Sequence, residues 1–186
     1  VILSIQPWNF PFYQAIRHVI PNLLSGNVTL LKHAKNVWGC AKEIKDLFVE
    51  SGLEDGVFNV LYAQEDDLEI LYESKKIRGV TFTGSPGAGS KIGELAAKNL
   101  KKTVLELGGN DAYIILEDAD LGQAVKHCIK GRLQNNGQTC VCAKRFIIMD
   151  SVYDKFKEKF VNKMKEAQLG DPMEKTTKVG PLARKD

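Results

Sequence analysis

Short runs of apolar and β-branched residues alternate with amphipathic segments over the first half of this chain, and that alternation constrains its fold more than any other feature. The runs cover residues 1–5, 28–32, 57–61 and 78–83. Between them, residues 12–24 and 67–74 read as helical. A further helix opens on Asn36 as its cap, with Val37, Cys40, Ala41, Ile44, Leu47 and Phe48 at the helical period. Strands alternating with helices imply parallel βαβ units in a sheet covered on both faces. The expected fold class is therefore α/β: a doubly wound, Rossmann-like, mostly parallel sheet with helices on both faces. Such sheets take their ligands at the carboxyl ends of the strands.

The turns at those ends carry the candidate chemistry. Pro7 and Pro11 fix an irregular loop, Gln6-Pro7-Trp8-Asn9-Phe10-Pro11, since each lacks an N–H and biases its predecessor away from helix. Thr83-Gly84-Ser85-Pro86-Gly87-Ala88-Gly89-Ser90 leads from a strand into a helix expected over residues 91–100. Backbone donors and the helix dipole can meet a phosphate in such a turn. Its spacing is neither Gly-x-Gly-x-x-Gly nor a P-loop, and a plain turn reads equally well. Thr103-Val104-Leu105-Glu106-Leu107-Gly108-Gly109-Asn110 sets one carboxylate in an apolar run. Desolvated there, Glu106 would suit a general base near neutral pH; on a wet strand face it would be an ordinary surface acid.

Residues 112–116 continue as strand, and Asp120 with Gln123 forms a capping box for a helix bearing Leu121, Ala124, Val125, Cys128 and Ile129 on one face. Asn135-Asn136-Gly137-Gln138-Thr139-Cys140-Val141-Cys142 then makes a polar turn before the strand at residues 146–149. A turn between rigid elements exposes a side chain while its neighbours hold it in place. Cys140 is therefore the candidate nucleophile, against the alternative of a buried, inert thiol. Tyr153, Phe156, Phe160, Met164 and Ala167 form the packing stripe of a closing helix.

Composition narrows the function by exclusion. A net charge of +3 on dispersed lysines offers no stripe for nucleic acid, and no apolar run reaches the length of a membrane span. Cys40, Cys128, Cys140 and Cys142 follow neither a disulfide framework nor a zinc spacing, so no metal is expected and reduced thiols in the cytoplasm are. The chain opens in mid-strand without methionine and stops soon after Gly180-Pro181, as a central piece of a longer protein would.

Four motifs in one order carry a family resemblance: Pro7-Trp8-Asn9-Phe10-Pro11, Phe82-Thr83-Gly84-Ser85, Leu105-Glu106-Leu107-Gly108-Gly109-Asn110 and Gly137-Gln138-Thr139-Cys140. Together they resemble the aldehyde dehydrogenase superfamily, essentially from end to end. The resemblance implies oxidation of an aldehyde to a carboxylic acid with NAD or NADP. Cys140 matches the nucleophile that forms a thiohemiacetal and then a thioester, splitting one hard step into two. Glu106 matches the base that activates water, and Asn9 the side-chain donor of the oxyanion hole, whose partner is the backbone N–H of Cys140. Lys32 matches the lysine on the adenosine ribose, and Gly84 and Ser85 match the turn at the pyrophosphate. Trp8, Leu107 and the backbone near Ile5 would line the cofactor cleft. Cys142 has no role in this scheme and reads as a packed thiol. The implied domains are a partial cofactor domain over residues 1–107 and the beginning of an α/β catalytic domain over residues 108–186.

Departures from the family pattern bear on specificity. Many NAD-preferring members carry a glutamate three residues after the ribose lysine, where it repels a 2′-phosphate; this chain has Lys35, which favours accepting NADP. Lys32-His33-Ala34 and the nucleophile motif look most like the succinate-semialdehyde dehydrogenase branch. Arg17 falls where that branch binds the substrate's distal carboxylate, a task suited to a guanidinium. The branch's second arginine is Gln134 here, with Arg132 nearby as a partial substitute. Full-length members extend beyond both ends of this sequence and carry an oligomerisation strand, so a homo-oligomer is expected when the protein is complete. The competing expectation is a truncated, non-catalytic nucleotide-binding or assembly remnant. A cysteine hydrolase would need a histidine partner, and His18, His33 and His127 form no recognisable triad.

Overall fold

A computed structural model describes residues 1–64 and 66–185. Five strands form a parallel sheet in the order β3-β2-β1-β4-β5, with β1 at Ile2–Gln6, β2 at Thr29–His33, β3 at Phe58–Val60, β4 at Gly79–Thr83 and β5 at Lys102–Glu106. The helices α1 (Pro11–Leu24), α2 (Trp38–Glu50), α3 (Glu69–Glu73) and α4 (Pro86–Lys98) fill the crossovers. Strand order reverses between β1 and β4, whose carboxyl ends are the topological switch point of the sheet. This is the doubly wound α/β fold read from the alternation of runs.

Both faces are covered because alternate strand residues point opposite ways. Ala15 and Val19 of α1 and Ala41 and Ile44 of α2 bury Leu31 and Phe58 on one face. Tyr72 of α3 and Ala96 of α4 bury Leu3, Ile5, Val80 and Phe82 on the other. A side chain as fully buried as Leu3 or Leu31 contributes about 2 kcal/mol through removal of apolar area from water.

Two local expectations are corrected. Asn36 does not cap α2: the chain enters through a 3-10 turn, Lys35–Val37, so Asn36 lies inside that turn and Val37 stands at the cap position. The glycine-rich passage is mostly helix. Pro86 pre-sets the backbone at the first position of α4, and the Ser85 hydroxyl accepts from the Ala88 N–H at 3.3 Å. The turn shrinks to Gly84 and Ser85.

The chain divides into two compact units, Val1–Gly108 and Gly109–Asp186. In the second, β6 (Ala112–Ile115) pairs in parallel with β7 (Arg145–Ile148). Helix α5 (Leu121–Leu133) and α6 (Asp150–Lys165) pack Val125, Cys128 and Phe156 against Ile115. Asp120 supplies its half of the expected capping box on α5, its carboxylate accepting from Gly122 and Gln123 N–H at 2.8 and 3.1 Å. The opposite face of β6 and β7 leaves Ile114 and Ile147, register partners, exposed. Among the described residues, no helix is long and apolar enough to cross a membrane.

Candidate active site

Sheet register gathers the first unit's candidates at one end. Ile5 pairs with Lys32 on one side and with Phe82 on the other, and Thr83 pairs with Glu106. The loops that follow β1 and β4 carry Trp8 and Asn9, and Gly84 and Ser85, respectively. Lys32 is 7% exposed at the end of β2, while Lys35 is exposed on the 3-10 turn beyond it. Trp8 and Asn9 are half-buried.

Close packing fixes the turn at Gly84. A Cβ there would lie 2.3 Å from the Phe82 ring, and one at Gly89 2.4 Å from Leu107 Cδ2. Only glycine lets the start of α4 come this near the strand ends. No acidic residue occupies the first turn of α4, so its N-terminal dipole faces the switch point without a competing carboxylate. A buried lysine, a glycine-narrowed helix start and a turn bearing Lys35 in place of an acid form a donor set that fits an adenine dinucleotide, including one with a 2′-phosphate.

Two histidines hold this end together. The buried His33 ring lies between two carbonyls, with Nδ1 3.1 Å from that of Gln6 and Nε2 2.9 Å from that of Pro11, and the Ala34 N–H reaches Nδ1 at 3.0 Å. Ala34 N–H also reaches the Gln6 carbonyl at 3.0 Å. Both ends of the Asn9 loop are thus tied to the residues that follow Lys32. His18 on α1 meets Thr81 Oγ1 at 2.9 Å and Thr83 Oγ1 at 3.4 Å. Both rings thus tie α1 and the loop after β1 to neighbouring strands.

Burial lowers the pKa of both rings, with the charge of Arg17 adding to the effect at His18 and that of Lys32 at His33. Glu106 opposes it at His18, and the Pro11 and Gln6 carbonyls oppose it at His33. As pH falls below about 6.5, the unfolded chain therefore takes up protons that the folded chain resists, and stability drops. The melting temperature is expected to be insensitive to these groups above about pH 7 and to decline as pH falls from about 6.5 toward 5. Thermal unfolding followed by circular dichroism checks it; a melting temperature that rises over that window would contradict it.

Glu106 ends β5, an edge strand exposed along its length. Its side chain is 51% exposed, so the wet-face reading holds and the desolvated one does not. The Arg17 guanidinium stands 4.0 Å from its Oε1 and 5.8 Å from the centroid of the Tyr13 ring. At such exposure and distance this pair is worth about 0–1 kcal/mol, so Arg17 remains able to engage another carboxylate. Tyr13 went unnoticed in the sequence because it lies on the exposed face of an ordinary amphipathic helix.

In the second unit, Cys140 is half-buried and Cys142, two residues on, is 1% exposed. Lys144 Nζ donates to the Cys140 carbonyl at 2.6 Å, which fixes that peptide. Gly109 passes beside the same carbonyl: a Cβ on it would stand 3.6 Å from that oxygen. Arg132 Nη1 donates to Cys142 Sγ at 2.6 Å. The guanidinium is therefore turned onto Cys142, which removes the support for its replacing a substrate-binding arginine. Gln134 is exposed at the carboxyl end of α5.

The whole chain, residues 1–186, matches the model of the aldehyde dehydrogenase family. This chain belongs to the aldehyde dehydrogenase family. It is 46% identical to an aldehyde dehydrogenase of Paenarthrobacter nicotinovorans over 183 residues, 98% of this chain and 40% of the relative. It is equally similar, with the same coverage, to succinate-semialdehyde dehydrogenase [NADP(+)] 1 of Mycobacterium bovis. Among solved structures, the succinic semialdehyde dehydrogenase of Streptococcus pyogenes in complex with NADP+ superposes with a TM-score of 0.95 at 45% identity, covering 98% of this chain and 40% of that one. The chain thus spans about two-fifths of the length of these relatives.

Proposed function

We propose that the protein oxidises an aldehyde, best read as succinate semialdehyde, to its carboxylic acid with NADP or NAD. The observation that carries this is the placement of Asn9, Lys32, Gly84 and Glu106 around the carboxyl end of one sheet, in a chain that also holds Cys140 on a stiffened turn. The nicotinamide, when bound, supplies the hydride acceptor. Cys140 Sγ adds to the aldehyde carbon, and the Asn9 carboxamide donates to the oxygen on which negative charge develops. Glu106 takes a proton from the water that attacks the acylated Cys140. Lys32 would hold the adenosine ribose, Ser85 and the α4 start the pyrophosphate, and Trp8, Leu107 and the backbone at Ile5 the remaining wall.

Lys35 in place of a carboxylate supports acceptance of NADP, and so does the NADP(+) of the Mycobacterium bovis and Streptococcus pyogenes relatives. Cytoplasmic residence is supported by four cysteines that are all free thiols.

Arg17 is proposed to bind the distal carboxylate, with Gln134 able to add a hydrogen bond. In the full-length enzyme carrying this chain, Arg17→Ala should raise KM for succinate semialdehyde by roughly tenfold to a hundredfold, the range for losing a charge-assisted hydrogen bond. KM for an uncharged aldehyde of similar length should change little. Steady-state kinetics on both substrates decide it, and equal effects on the two would remove the carboxylate role.

A further inference from the structure

The turn before Cys140 is built from backbone that resists being built. Asn135, Asn136 and Gly137 are consecutive and all left-handed, with φ of 50°, 58° and 76°. Asparagine tolerates this region better than most residues, yet successive left-handed residues persist only where their surroundings impose them. The surroundings are a segment more than forty residues downstream. The Asn136 carboxamide donates from Nδ2 to the Pro181 carbonyl at 2.9 Å and accepts the Gly180 N–H on Oδ1 at 3.1 Å. On the other side of Gly137, Gln138 Oε1 accepts the Ala183 N–H at 2.9 Å while its Nε2 donates to the Asn135 carbonyl at 3.0 Å.

The downstream segment is itself held. Lys178 and Val179 N–H both donate to the Gln168 carbonyl, at 2.9 and 3.1 Å, and Gly170 N–H donates to Val179 at 3.2 Å. A Cβ on Gly180 would lie 3.4 Å from Pro172 Cβ, so this backbone passes close to its neighbours on that side as well. The contacts run from the stretch after α6, through residues 179–183, to the turn that presents Cys140.

We propose that residues 179–183 form a strap that positions the nucleophile, and that Asn136 and Gln138 are the positioning residues through which it acts. The strap holds the left-handed turn in the one geometry that presents the Cys140 thiol and peptide N–H together. This rests on the reading of Cys140 as nucleophile. Neither side chain touches the reacting atoms in this scheme; each acts through the backbone of residues 137–140.

The test separates clamp from backbone tolerance. Asn136→Gly keeps the freedom to be left-handed and removes the carboxamide, whereas Asn136→Ala removes both. In the full-length enzyme, both variants are expected to lower kcat by roughly tenfold or more, the scale of a small misplacement of a reacting group. The Kd for NADP should stay within about twofold, because the cofactor contacts lie elsewhere. Amide exchange over residues 137–142 should speed up at least about tenfold in both variants, with α5 unchanged. Ala183→Pro, which removes one strap donor and leaves the turn's sequence intact, should move exchange in the same direction and serves if an Asn136 variant does not fold. Wild-type kcat and exchange in Asn136→Gly, with loss only in Asn136→Ala, would overturn the strap. Turnover retained by Cys140→Ala would instead overturn the nucleophile reading, and the exchange result would still stand.

Discussion

Replacing Cys140 with alanine is expected to lower turnover of any aldehyde by about four orders of magnitude or more, the scale seen when a covalent nucleophile is removed. The size follows from chemistry. Without Sγ there is no tetrahedral adduct from which hydride can leave, and an aldehyde hydrate lacks the preorganised partner. The fold should survive, because Cys140 is only half-buried and its turn is held by Lys144 on the carbonyl and by the contacts of residues 136 and 138. Cofactor binding should survive too, since Lys32, Gly84 and Ser85 belong to the first unit. Initial rates followed by reduced-nicotinamide absorbance, with fluorescence titration of NADP, check both halves. Lost affinity for the cofactor alongside lost rate would mean that the variant is damaged rather than disarmed.

The second large effect is on the other half of the cycle. Glu106→Gln keeps the size of the side chain and removes its basicity, so the step that needs a deprotonated water should slow by about 10²- to 10⁴-fold. Formation of the acyl-enzyme should slow much less, and rapid mixing should then show a burst of reduced nicotinamide followed by a slow steady state. The same variant removes the charge 4.0 Å from Arg17. A carboxylated substrate should consequently meet Arg17 without that competition, and its KM should fall or hold while kcat drops. A single slow phase with no burst would place Glu106 in the attack of Cys140 instead of in hydrolysis.

Most of the fold could be read from the chain because strand and helix periods alternate so regularly before Thr83, and parallel βαβ units follow from that alternation. Failures occurred where a local signal met a tertiary fact. Asn36 looked like a cap, but the 3-10 turn that redirects the chain after β2 absorbs it. The glycines after Thr83 looked like a loop, but Pro86 and Ser85 start a helix among them, and Gly84 and Gly89 serve close approach to Phe82 and Leu107. Glu106 in an apolar run looked desolvatable, yet β5 is an edge strand whose residues are exposed along its length.

The candidate site was legible as motifs, not as supports. Asn9, Lys32, Glu106 and Cys140 announce themselves in short strings. What fixes them does not: His33 reaches Pro11 across 22 positions, and Asn136 reaches Pro181 across 45. An Asn-Asn-Gly run does hint at left-handed backbone, and that hint marks the turn without naming its partner. Arg132 shows the converse, since proximity in sequence recommended it for substrate while the folded chain gives it to Cys142.

Whether Cys140 carries the acyl group is measured directly by peptide mass spectrometry on the Glu106→Gln enzyme quenched in acid during turnover of succinate semialdehyde with NADP. A succinyl thioester mass on the peptide containing Cys140, absent when cofactor is omitted, is the predicted result. An unmodified Cys140 in an enzyme that is still producing reduced nicotinamide, or the acyl group on Cys142, would contradict it.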